Sequence, residues 1–201
     1  MADNWTIKPR EGLGLLIFGL DPNEVAALAH IYGSAKIAVT GQDRSKALED
    51  TIAQFSEHFS EEDIAAVRKA FEESDSASSQ TDVLGEDGPV LDYSKNRLNL
   101  IQARPNAKIN FHDQFVFQMS TRDVIILFEH ANGAPGRYAS TGVDFSNIAV
   151  YLESFSFVSN GSVYSIPNTD ERLIDRVIAL REEPYIPTEV PPGGWITHSF
   201  L

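Results

Sequence analysis

Residues 12–33 read GLGLLIFGLDPNEVAALAHIYG, and the fold turns on how this stretch is read. After the opening glycines comes an apolar run, Leu13 to Leu20, which predicts a buried strand. Asp21 stands where a helix begins. Its carboxylate can accept from the free N–H groups of the first turn, Pro22 fits the first helical position, and Glu24 completes a capping box. Val25, Leu28, Ala29 and Tyr32 follow at helical spacing, and Gly33 is a stop signal. Glycines ahead of a helix raise the question of phosphate binding. A dinucleotide fingerprint needs G-x-G-x-x-G between strand and helix. Here Gly12 and Gly14 precede the strand, Ile17 stands where the third glycine belongs, and no G-K-[ST] occurs. The stretch is scaffold.

A second copy lies downstream. VFQMSTRDVIIL (116–127) aligns without a gap to IFGLDPNEVAAL (17–28). Phe117 matches Phe18, Met119 matches Leu20, and Ser120 replaces Asp21 as the cap. Asp123 matches Glu24, Val124 matches Val25, and Leu127 matches Leu28. The second helix is expected to end near Asn132-Gly133. Strands are expected over 90–93, 97–103, 109–117, 148–152, 154–158 and 162–166, with Asn160-Gly161 as a hairpin turn. A last helix is expected from Thr169 through Leu180, followed by an extended tail packed through Tyr185, Ile186 and Trp195. Two amphipathic helices are expected near 43–74, with Ala47, Ile52, Phe55 and Phe59 on one face and Ile64, Val67, Ala70 and Phe71 on the other helix. The fold class is therefore α+β: antiparallel sheet with helices packed on one face, in two similar helix–sheet halves. Residues 1–106 form the first half, with the helical insertion near 43–74. Residues 107–201 form the second, with an extended C-terminal tail.

Charge narrows the partners. Among 201 residues, 29 are acidic and 16 basic, a formal net charge of −13. Such a surface repels nucleic acid and anionic lipid and favours basic partners. The excess is concentrated: residues 57–92 hold eleven acidic and two basic residues. There is no cysteine, so disulfides, thiolate metal sites and thiol nucleophiles are excluded. No stretch is long and apolar enough for a membrane span, and the start of the chain lacks a signal-peptide pattern; a cytoplasmic protein is expected.

Catalytic patterns are sparse, and no motif calls for a cofactor. The histidines are His30, His58, His112, His130 and His198, with no H-E-x-x-H. GRYASTG (136–142) misses the nucleophile-elbow pattern, because Tyr138 replaces the first glycine. The pairs Glu61/Glu62 and Glu72/Glu73 sit in polar contexts that do not raise a carboxyl pKa. Phe155 and Phe157 alternate on a strand without nearby Lys or Arg, so core packing is preferred to base stacking.

The strings Phe18-Gly19-Leu20-Asp21 with Glu24-Val25, Leu28 and Gly33, and again Phe117, Met119-Ser120 and Asp123-Val124, resemble the opening of small bacterial immunity and inhibitor domains. Proteins similar to the β-lactamase inhibitory protein carry two such helix–sheet halves in tandem. The resemblance implies stoichiometric binding of a cognate protein, without catalysis. For an acidic chain, that partner is expected to be a basic, nuclease-type secreted toxin whose phosphate-binding site accepts carboxylates. Glu72, Glu73, Asp75, Asp82, Glu86 and Asp87 are the expected contacts. Two rival readings remain: a small enzyme using His112, Asp113 or His130 with a bound metal, and an adaptor in a secretion or stress assembly.

Overall fold

The computed structural model describes residues 3–73, 79–185, 191 and 193–201; the side chains of Glu57 and Glu73 are not described. The N-terminal stretch forms a small meander, β1 (Ile7–Lys8), β2 (Gly12–Leu13) and β3 (Leu16–Ile17), rather than one strand from Leu13 to Leu20. Gly14 breaks the run. Its φ is +60°, and a Cβ there would lie 1.9 Å from the Asn4 carbonyl oxygen. Tyr32 closes the same corner: its hydroxyl accepts from Leu15 N–H and donates to the Asn4 carbonyl at 2.6 Å.

The capping box forms as read. The Asp21 carboxylate accepts from Asn23 and Glu24 N–H, and Glu24 accepts in return from Asp21 N–H. The helix it starts is split, however, into α1 (Pro22–Ala26) and α2 (Ala29–Tyr32). Then come β4 (Ala35–Thr40), α3 (Gly41–Phe55) and α4 (Glu61–Glu73). Next are β5 (Gln80–Leu84), β6 (Val90–Ser94) and β7 (Arg97–Ala103). Over 109–117 the chain makes a tight hairpin, β8 (Asn110–Phe111) and β9 (Gln114–Phe115), rather than one strand. Ser120 caps α5 (Thr121–Asn132), and Gly133 ends it in the left-handed region. β10 (Gly136–Ala139), β11 (Gly142–Phe145) and β12 (Val150–Glu153) follow. β13 (Ser156–Ser159) and β14 (Ser162–Ser165) are joined at Asn160-Gly161 as expected. The helix expected from Thr169 is only a 3₁₀ segment, Glu171–Asp175; residues 177–181 are strand β15 (Val177–Arg181). β16 (Ile196–His198) ends the series.

The fold is α+β. Nine strands pair antiparallel in the order β16-β10-β11-β12-β15-β7-β6-β5-β4. Outward from the central β15–β7 pair, the order is mirrored: β7 to β4 on one side, then β15, β12, β11 and β10 on the other. One sheet therefore runs through both stretches of the chain. Its inner face carries the row Tyr138, Val143, Leu152, Ile178 and Ala103, in register across five strands and all buried. α5 lays Val124, Ile125 and Phe128 against this core. Phe128 stacks on Phe111 with centroids 4.7 Å apart and lies 6.2 Å from Phe145. Val25 and Tyr32 of the first helical stretch join the same cluster.

Candidate functional site

Of the six acidic residues expected to meet a partner, three are described as exposed and one is buried. Glu72 is exposed near the end of α4, Glu73 lies in the same helix, and Asp75 falls outside the described residues. Glu86 and Asp87 are exposed in the turn after β5, where Asp87 accepts from Asn106 Nδ2. Asp82 is a correction: it is 2% exposed, on the inner face, and accepts from Gln80 Nε2. It is core rather than contact surface.

Burial raises the Asp82 pKa above the ordinary aspartate value, against the lowering effect of its Gln80 hydrogen bond. Burial and the Asp82 charge likewise push the Tyr93 phenol upward. A carboxyl that binds its proton more tightly folded than unfolded makes stability fall as pH rises between the two pKa values. Asp82→Asn is therefore expected to flatten that decline in a chemical-denaturation series across the acid range. At neutral pH the variant should be at least as stable as the parent; a less stable variant there would refute this sign.

The α3–α4 pair forms at the expected place but packs differently. Both helices start on reciprocal caps. Thr40 Oγ1 accepts from Asp43 N–H while Asp43 accepts from Thr40 N–H, and Ser60 and Asp63 repeat the arrangement. Asp43 and Asp63 are held below the ordinary carboxyl range chiefly by the hydroxyls of Thr40 and Ser60. Between the helices, Arg68 makes a two-pronged bond to Glu49 at 2.9 and 2.6 Å. Both partners of this ion pair are half exposed, so solvent screens it and it adds little to stability. Arg44 ties α3 to the sheet through Thr81 Oγ1. Of the apolar residues expected on these helix faces, Ile52, Ile64 and Phe71 are half-buried and the rest are exposed, and none joins the main core. Phe55, Phe59 and Val67 are 43%, 53% and 44% exposed, Ala47 and Ala70 are exposed, and only Gly41 in α3 is buried. Ile37 of β4, the edge strand beside them, is 63% exposed.

The outer sheet face is polar. Arg137 Nη2 donates to Asp144 Oδ2 at 2.5 Å, and Ser146 shares that carboxylate. Glu153 accepts from Thr141 and from the Tyr151 hydroxyl. Asp92 accepts from Thr81 and Gln102. The close approach of Tyr151 needs a glycine opposite: a Cβ at Gly142 would lie 1.7 Å from its oxygen. Over this face the tail brings Tyr185, Pro191 and Trp195, leaving a cavity of about 360 Å³ against Ala139, Ser140, Tyr151 and Arg181. The Arg181 side chain lies over the Tyr185 ring at 4.7 Å, and Arg137 lies over Trp195 at 5.3 Å. Burial lowers the Arg181 pKa, opposed by Tyr185, Asp144, Tyr151 and Asp92. Sequence reading predicts a tail packed through Tyr185, Ile186 and Trp195, of which Ile186 lies outside the described residues, but passes over the cavity that Tyr185 and Trp195 wall and the arginine that closes VIALR.

His112 and Asp113 occupy the tip of the β8–β9 hairpin, both exposed with φ of +49° and +62°. His130 is exposed on α5. Among the described residues no three His, Asp or Glu side chains converge as a metal site, so the metal-enzyme reading gains no support. No described helix is long and apolar enough to cross a membrane. No known protein family, curated protein or solved structure matches the chain.

Proposed function

We propose that this protein is a cytoplasmic immunity-type inhibitor, which neutralises a basic toxin by stoichiometric binding through the α3–α4 pair. The observation that carries the reading is the exposed apolar surface of that pair. Helices of fifteen and thirteen residues are marginal on their own, and no apolar side chain of either is fully buried among the described residues. Apolar side chains left grouped at a surface mark a protein-binding site. Their setting is acidic, with nine acidic and four basic residues between Gly41 and Glu73. Phe55, Phe59 and Val67 offer exposed apolar anchors on this acidic segment, and the charge selects a basic partner and speeds encounter. The mirrored strand order about β7–β15 supports the tandem helix–sheet reading of the two halves.

The test is reconstitution. A partner captured from the producing cell is purified, mixed with this protein, and assayed for its own activity. The expected result is a one-to-one complex in which that activity is lost, with an association rate that falls as salt rises. A captured partner that keeps full activity in the complex, or an association insensitive to salt, would overturn the reading.

A further inference from the structure

The cavity on the outer sheet face lies apart from α3–α4 and has its own chemistry. Its unspent polar groups are donors. Trp195 Nε1–H is buried without an acceptor. The Arg181 guanidinium makes no ion pair among the described residues, and the Ser140 hydroxyl has no acceptor there. The acceptors around them are already taken: Asp144 by Arg137 and Ser146, Glu153 by Thr141 and Tyr151, and Asp92 by Thr81 and Gln102. Of the three only Trp195 Nε1 is a buried donor; Ser140 is exposed and Arg181 half-buried, so an acceptor-bearing ligand relieves the cost at Trp195 and replaces water at the other two. Tyr185, Trp195 and Pro191 add flat apolar walls, and the volume of about 360 Å³ lies within the range of small-molecule sites.

We propose that this cavity binds a small aromatic carboxylate, its oxygens on Arg181, Ser140 and Trp195 Nε1 and its ring between Tyr185 and Trp195. A guanidinium suits the carboxylate through two parallel N–H bonds. The fields of Asp144 and Asp92 oppose a second negative charge, so the aromatic walls must contribute affinity alongside Arg181.

Benzoate is titrated into the full-length ¹⁵N-labelled protein, with benzyl alcohol as the neutral control and N-acetylphenylalanine as a peptide-like carboxylate. The two indole N–H resonances, from Trp5 and Trp195, are the readout. Benzoate is expected to move the Trp195 resonance to saturation and leave Trp5 in place. Arg181→Gln should weaken binding by about tenfold or more, the usual worth of a charged hydrogen bond. N-acetylphenylalanine binding tighter than benzoate would assign the carboxylate to a peptide C-terminus; weaker binding would assign it to a free acid. Benzyl alcohol binding as well as benzoate, or no saturable shift with either carboxylate, would overturn the proposal. The comparison of benzoate with its neutral control uses the unmodified protein, so it decides even if Arg181→Gln does not fold.

Discussion

Phe128→Ala is expected to destabilise the protein by about 3–5 kcal/mol. The side chain is fully buried and reaches two separate parts of the chain, Phe111 of the β8–β9 hairpin and Phe145 of the sheet. Removing the ring deletes both aromatic contacts and leaves a void that the backbone of α5 cannot close, because Ser120 and Gly133 fix its two ends. Natural stabilities are of order 5–15 kcal/mol, so the loss takes a large share of the whole. The check is urea denaturation, where the midpoint should fall with little change in slope. Phe115→Ala is the matched control. Phe115 is 49% exposed at the tip-side strand of the same hairpin, and its loss should cost under about 1 kcal/mol. Equal effects at the two positions would mean that α5 is not docked on the sheet as described.

Local chemistry was legible in the sequence. The caps at Asp21 and Ser120, the stop at Gly133 and the Asn160-Gly161 turn each depend on a few adjacent residues, and each forms. The failures are tertiary. An alternating or continuous apolar run such as VIALR fits a helix or a strand. Its partners settle it: β15 lies at the middle of the sheet, bonded to β7 on one side and β12 on the other. The run from Leu13 to Leu20 breaks because Tyr32, from the next helix, holds the turn at Gly14. The periodicity of α3 and α4 predicted helices correctly but not what their apolar faces meet, since amphipathicity does not say whether a face meets the core or another molecule. The Arg181 cavity draws its walls from the β10–β11 turn, β12, β15 and the tail, four segments that no local pattern connects.

That separation between fold and surface sets the expected result for the α3–α4 pair. Phe59→Ala and Val67→Ala should change stability by no more than about 0.5 kcal/mol, because neither side chain is in the core. Against the cognate partner, the same two changes should together weaken binding at least about thirtyfold, since exposed aromatic and apolar anchors carry most of an interface's energy. Charge should act differently. Glu61→Lys and Glu62→Lys sit on the exposed first turn of α4 and should chiefly slow association and reduce its salt dependence. They also place positive charge at a helix N-terminus, so the denaturation midpoint of each variant must be measured alongside. The decisive comparison uses Glu86→Lys and Asp87→Lys, on the turn at the far end of β5. Association kinetics by surface binding or stopped flow separate the two sites. A slower association from the α4 variants alone places the partner on the helix pair. The same loss from the turn variants alone would move the interface to that turn, and the reading based on α3–α4 would fall.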